Sequence, residues 1–258
     1  MIRTAVINTG VMECRDDLIY SPDQDRNRKT GKMKLERLTE RIWIFPFEEE
    51  RDRPILGYIR GDHWSLAVDA GHSSAHTEDF YRALQEEELP MPALTVLTHW
   101  HWDHTFGMHA VTGLTLANQK TDSALSSIRD EINRSGREHF LSLDYKIRNE
   151  YAGNIEIVVK NADMVFSGEI ILDAGNCPIR VFQAESPHTD DSTLIAVPHE
   201  KTLFLGDAAY GAFPTWVSDP VLCRKLYDAI SPIDAEICIK GHHIPLSKSE
   251  VLQDLKIF

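Results

Sequence analysis

The sequence predicts an α/β protein in which two β-sheets pack together and helices lie on the outer faces. Two observations carry this expectation. Short apolar runs of strand length recur along the chain, bounded by turn residues. Helical periodicities fall between blocks of these runs rather than after each strand, as expected for sheets covered from outside.

The strand pattern begins near Leu35, with runs at Ile42 to Phe47, Ile55 to Arg60 and Trp64 to Val68, the last entering the turn Asp69-Ala70-Gly71. Thr77 is the expected N-cap of a first helix, with Glu78 and Asp79 in its opening turn and Phe80, Ala83 and Leu84 at helical spacing before Pro90. Leu94 to Thr98 has the pattern of a buried strand, and a shorter one follows at Leu114 to Ala117. Apolar residues at helical intervals, among them Leu125, Ile128, Ile132, Phe140, Ile147 and Tyr151, predict two helices inserted over 118–151. Strands return at Ile155 to Val159, Glu169 to Leu172, Ile179 to Phe182, Thr193 to Val197 and Thr202 to Leu205. Ser218 or Asp219 caps a helix with Pro220 near its first position and Leu222, Leu226 and Ile230 facing inward. Ile237 to Ile239 is the last strand, and Ser247 with Glu250 forms the capping box of a final helix.

A chain of 258 residues with 42% hydrophobic content can bury a sizeable core, and no repeat or low-complexity tract interrupts it. Residues 1–34 open with a strand-like stretch and turn polar, which suggests an arm or flap, and the main domain is expected over 35–258. The net charge of −13 argues against nucleic acid and anionic membranes as partners, since both rest on clustered Lys and Arg. Without a secretory or membrane-spanning apolar run, the expectation is a soluble, cytoplasmic protein acting on a small-molecule substrate; the oligomeric state is left open. The four cysteines are far apart and form no CxxC pair, and Cys223 and Cys238 sit in apolar patterns as small core residues.

The most informative segment is His99-Trp100-His101-Trp102-Asp103-His104, placed directly after the apolar run ending at Thr98. Strand side chains alternate faces, so His99 and His101 are expected on one side while the turning chain aims Asp103 and His104 elsewhere. One segment can then feed two metal positions. Further candidates follow strand ends: His188 after Phe182, Asp207 after Leu203-Phe204-Leu205-Gly206, and His242 after Ile237-Cys238-Ile239-Lys240-Gly241. Taken singly, His188 could cap a turn, Asp207 a helix, and His242 could be a solvent-exposed loop residue. His243 competes with His242, whose Gly-His spacing after the strand is preferred. His72, His76, His109 and His139 match no motif position and are read as surface or pocket-lining residues. Trp100 and Trp102 are read as aromatics packed beneath the loop.

In this order, HxHxDH followed by His, Asp and His, the chain resembles the metallo-β-lactamase superfamily from about residue 35 to about 245. The resemblance implies a four-layer αβ/βα sandwich of two mixed sheets with the site at one edge. It also implies one metal held by His99, His101 and His188, a second held by Asp103, His104 and His242, and Asp207 bridging them. Asp69 matches the family's early Asp-x-Gly turn and would hold the histidine loop by hydrogen bonds. Two divalent ions are implied, Zn²⁺ first among them, with Mn²⁺, Fe²⁺ or Co²⁺ able to use the same donors.

By the same resemblance the activity would be hydrolysis of a small lactone, ester, thioester or amide by a metal-bridging hydroxide. Asp103 and Tyr210 are the candidate catalytic residues. Asp103 would orient the water, and Tyr210, placed as in N-acyl homoserine lactone lactonases, would steady the substrate carbonyl. Packing of Tyr210 against the loop of Phe213 and Trp216 is an equal alternative for that residue. An iron-dependent oxidoreductase of the persulfide dioxygenase kind is the alternative reading of the whole chain.

Overall fold

The structure, a computed structural model, describes residues 33–153 and 155–256. The arm expected over 1–34 lies outside the described residues except for its last two. The first half of the chain builds a seven-stranded sheet in sequential order. Its antiparallel part is β1 (Glu36–Arg37), β2 (Ile42–Phe45), β3 (Leu56–Arg60) and β4 (Ser65–Val68). After β4 comes α1 (Ser74–Glu86), and then β5 (Leu94–Val96) adds parallel to β4. A single turn of helix, α2 (Trp102–Thr105), follows β5, and β6 (Leu114–Asn118) continues the parallel part. Helices α3 (Gln119–Ser135), α4 (Arg137–Leu141) and α5 (Tyr145–Glu150) then intervene before β7 (Met164–Phe166) closes the sheet.

The second half forms a six-stranded sheet. Strands β8 (Glu169–Asp173), β9 (Pro178–Gln183), β10 (Thr193–Val197) and β11 (Thr202–Gly206) are antiparallel. Helix α6 (Pro220–Ile230) leads to β12 (Ile237–Lys240), which lies parallel to β11. The short β13 (Leu246–Ser247) and α7 (Lys248–Asp254) end the described chain.

The two sheets face each other through one apolar layer. Ile42, Ile44, Ile59, Leu66, Val68 and Val96 from the first meet Ile179, Val181, Ile195, Val197, Phe204 and Ile239 from the second. A second cluster packs Cys223, Leu226 and Ile230 of α6 and Val251 of α7 on the outer face of the second sheet. A third gathers Trp102, Phe106, Leu125, Phe140, Ile147 and Tyr151 around the inserted helices. The protein is therefore an α/β sandwich of two mixed sheets with helices outside, and residues 34–258 make one unit.

Several local expectations change. The first helix starts one turn before Thr77, because Ser73 takes the N-cap and its side chain accepts the His76 N–H. Thr77 instead donates its hydroxyl to Ala70 O at 2.7 Å, fastening α1 to the turn after β4. The insert contains three helices rather than two, since Gly136 ends α3 and a short helix restarts at Arg137. Residues 155–159 form no strand: Ile155, Ile157 and Val159 pack on the third apolar cluster, and the sheet edge is taken by β7. Their alternation reports one-sided burial, which needs no pairing partner. Asp219, rather than Ser218, caps α6 and accepts from Val221 and Leu222 N–H, while Leu222 itself is only half-buried. The capping box of Ser247 and Glu250 forms as expected.

Candidate metal centre

The site lies where strand ends from both sheets come together. After β5 the chain stays tied to the sheet through Leu97 N–H, which donates to Leu116 O. Thr98 O then accepts from Thr193 N–H of β10 at 2.7 Å, a bond that joins the two sheets next to the histidine segment. Helix α2 opens at His101 and carries Asp103 and His104 on a single turn. His99 and His101 therefore leave the chain in one direction, and Asp103 and His104 in another.

Two groups of donors result. His99, His101 and His188 offer nitrogen atoms that lie within 4.8 Å of one another, and so do the donor atoms of Asp103, His104, Asp207 and His242. The seven sequence-predicted candidates are thus brought together in groups of three and four, with Asp207 in the second, all buried except His242, which is half-buried. His188 Nε2 is 3.0 Å from His101 Nδ1 in the first group. In the second, Asp103 Oδ2 stands 2.9 Å from His242 Nε2 and 3.2 Å from His104 Nε2. Asp207 faces both groups: Oδ1 is 3.5 Å from His104 Nε2, while Oδ2 is 3.5 Å from His242 Nε2 and 3.7 Å from His188 Nε2. His243 is exposed and turns its Nδ1 to Ile244 O in its own loop.

This donor set fits divalent metal ions. His99 Nε2, His104 Nε2 and Asp207 Oδ1 are buried without a hydrogen-bond partner, a costly arrangement for a site that binds nothing. The space around them is kept open by glycine. A Cβ on Gly241 would lie 2.2 Å from Asp207 Oδ1 and 2.9 Å from His104 Cε1, so only glycine lets the chain leaving β12 pass so close to the carboxylate. Gly206, at φ +51°, plays the same part beside Thr98, whose Oγ1 would be 2.5 Å from an added Cβ.

The imidazoles are held from behind. Asp69 sits in the left-handed region at φ 64°. Its Oδ1 accepts the Thr98 N–H at 2.7 Å, and its Oδ2 accepts the Thr98 hydroxyl at 2.9 Å and faces His104 Nδ1 at 2.8 Å. His188 Nδ1 pairs with Gly211 O at 2.8 Å, and His99 Nδ1 with Thr98 Oγ1 at 3.1 Å. Such partners fix ring orientation and leave the opposite nitrogen for a metal.

Charge separates the two groups. Burial, reinforced by neighbouring imidazoles, drives His99 well below its ordinary range and His101 to about 3. Burial also opposes charge on His104 and His242, but the carboxylates win. Asp103, Asp69 and Asp207 hold His104 well above its usual value, and Asp207 with Asp103 raises His242 to about 9. In turn these cations outweigh desolvation and keep Asp103 and Asp207 far below the usual carboxylate range.

The two tryptophans of the motif divide. Trp102 is buried and packs edge-on against Phe140 at 6.0 Å and Phe213 at 5.3 Å. Trp100 is half-buried with its ring edge against His101. Trp216 is 60% exposed and stacks over His188 at 6.1 Å. Tyr210 lies beside the second group, 6.5 Å from the His242 ring, with Lys240 Nζ 3.9 Å from its ring centroid. Burial and the Asp207 carboxylate push its phenol well above the ordinary range, so it stays protonated.

The reading of His72 and His76 as surface or pocket-lining residues is corrected. Both are fully buried: His72 Nδ1 pairs with Arg51 O, and His76 Nδ1 accepts the His72 N–H. They belong to the junction that docks the insert, where Arg53 and Glu150, both fully buried, pair at 2.7 Å and Tyr151 donates to His72 O at 2.6 Å. Sequence reasoning missed this junction. His109 and His139 are exposed.

The profile of the metallo-β-lactamase superfamily matches residues 58–242, from within β3 to the last of the seven donors. The chain belongs to the metallo-β-lactamase superfamily. Within it, the chain is 25% identical over 223 residues to an acyl-coenzyme A thioesterase, MBLAC2, of Gallus gallus, covering 78% of this chain and 76% of that protein. The Homo sapiens protein of that name is 23% identical over 228 residues, with 78% and 77% covered. Among solved structures, the metallo-β-lactamase from Pontibacter korlensis superposes with a TM-score of 0.62 at 16% identity, covering 88% of this chain and 100% of that one. The metallo-β-lactamase from Hirschia baltica reaches 0.64 at 16% identity, covering 87% and 96%. These structural likenesses establish the superfamily fold. Among the described residues, no helix is long and apolar enough to cross a membrane.

Proposed function

We propose that this superfamily member is a binuclear metal-dependent hydrolase of small acyl thioesters, with Zn²⁺ as the natural ion at both positions. The observation that carries this reading is Asp207, one carboxylate within 3.7 Å of nitrogen donors from both groups. The superfamily and the thioesterase relatives support hydrolysis, and the choice of thioester rests on those relatives. Metal ions bound there would lower the pKa of water and polarise an acyl carbonyl. His99, His101 and His188 would hold the first position; Asp103, His104 and His242 the second. Asp103 would also orient the attacking water, and the protonated Tyr210 would donate to the oxygen on which charge develops. A thiolate leaves readily without a dedicated acid.

The rim supports an apolar acyl group. Trp100, Phe213 and Trp216 border the first donor group, with Phe213 6.2 Å from the His101 ring and 5.8 Å from Trp216. The net charge of −13 provides no long-range attraction for the phosphates of coenzyme A, so the thioester itself must carry recognition. The test is zinc-loaded enzyme assayed for thiol release from acyl-coenzyme A and from acyl-N-acetylcysteamine, beside lactones, phosphodiesters and β-lactams. Metal-dependent release from both thioesters is expected. Turnover confined to another class would overturn the substrate assignment, and a single bound iron with oxygen uptake would overturn hydrolysis.

A further inference from the structure

Three imidazoles of the centre have a partner behind the ring: Thr98 for His99, Asp69 for His104 and the Gly211 carbonyl for His188. His242 has no such close partner on its outer nitrogen. Its Nε2 faces Asp103 and Asp207, and its Nδ1 faces Asp52, whose Oδ1 lies 3.9 Å away. Asp52 occupies the left-handed region at φ 51°, ending the short helical turn Glu49–Arg51. Its loop is firmly built. Glu48 and Arg53 bridge its base, Arg53 is locked onto Glu150, and Ile55 N–H donates to Gly241 O at 2.7 Å, next to His242. The second charged contact of Asp52 is Lys146 Nζ of the insert, at 3.4 Å.

Resting on the binuclear reading, we infer that Asp52 is the positioning residue for His242, accepting its Nδ1–H when Nε2 serves the second metal. Lys146 holds the carboxylate in place, so this contact couples the helical insert to the second metal position. Nothing in the HxHxDH motif announces this role, because Asp52 approaches from the connection between β2 and β3.

The test uses the full-length chain titrated with Co²⁺, following visible absorption and chelator competition for each equivalent. Asp52→Gly removes the carboxylate at no backbone cost in this conformation, and Asp52→Asn keeps an acceptor oxygen. Wild type should take two equivalents. Asp52→Gly should bind the second about 10–100-fold more weakly with an altered spectrum, while the first equivalent is unchanged. Asp52→Asn should recover part of the loss, and Lys146→Met should show a smaller one. A second equivalent bound by Asp52→Gly with wild-type affinity and spectrum would overturn the inference, as would equal weakening at both positions, which marks a general structural role. Uptake of one equivalent by wild type would remove the binuclear reading itself, a distinct result.

Discussion

The two donor groups stand side by side, yet they solve opposite electrostatic problems. The first has imidazoles alone, with His99 and His101 kept neutral by burial. The second sets Asp103 and Asp207 against His104 and His242, both drawn towards the protonated form. A metal entering the first meets His99 and His101 already deprotonated, whereas a metal entering the second must displace protons from His104 and His242. The contrast teaches that one loop can feed two sites of different character. His99 and His101 precede the α2 turn in an apolar, aromatic setting, while Asp103 and His104 lie within it beside carboxylates.

The largest effect is expected from removing the Asp103 carboxylate of the second group. Asp103→Ala should lower thioester hydrolysis on the order of 10³-fold in a protein that stays folded, because the change lies at the sheet edge and outside the apolar core. Steady-state kinetics with circular dichroism checks this, and undiminished turnover in the folded variant would contradict it.

Acidity separates the groups next. His242 titrates near 9 in the metal-free chain, so each unit of pH below 9 should weaken the second metal by up to about tenfold for this proton. At the first position His99 and His101 add no pH dependence from pH 5 to 9, since burial holds both below that range, His101 at about 3. Metal titrations at several pH values would show a steeper profile for the second metal, where two raised imidazoles must release protons. The raised value also bears on folding without metal. Stability from His242 is fully present below its ordinary 6.5 and is lost as pH rises through about 9, so this group should make the metal-free chain less heat-stable at pH 10 than at pH 6.

The smallest effect is expected at the rim. Trp216→Ala removes an exposed ring stacked over His188, and it should raise KM for thioesters with an apolar acyl group a few-fold with little change in kcat or in metal content. An unchanged KM across chain lengths would take Trp216 out of the acyl-binding rim.

The motif residues could be read in the sequence because each follows a strand whose apolar run marks its end. His188, Asp207 and His242 needed only that placement and their order. What stayed hidden depends on approach in three dimensions. Arg53 and Glu150, 97 positions apart, look like ordinary surface charges until the insert buries them against each other. His76 shares the buried face of α1 with Phe80 and Ala83, a face that a helix beginning after Thr77 leaves out, and His72 precedes the helix altogether. Asp52 acquires its place from a loop that the Ile55 to Gly241 hydrogen bond sets beside His242. The missing strand at 155–159 follows the same logic, since alternation records which side is covered and cannot record whether another strand stands alongside.

Metal stoichiometry decides whether the seven side chains build two adjacent metal positions. Wild type, His188→Ala and His242→Ala, each dialysed against buffered zinc and analysed by elemental mass spectrometry, should retain about two, one and one equivalents per chain. One equivalent in wild type, lost by one variant and kept by the other, would contradict the two-position site.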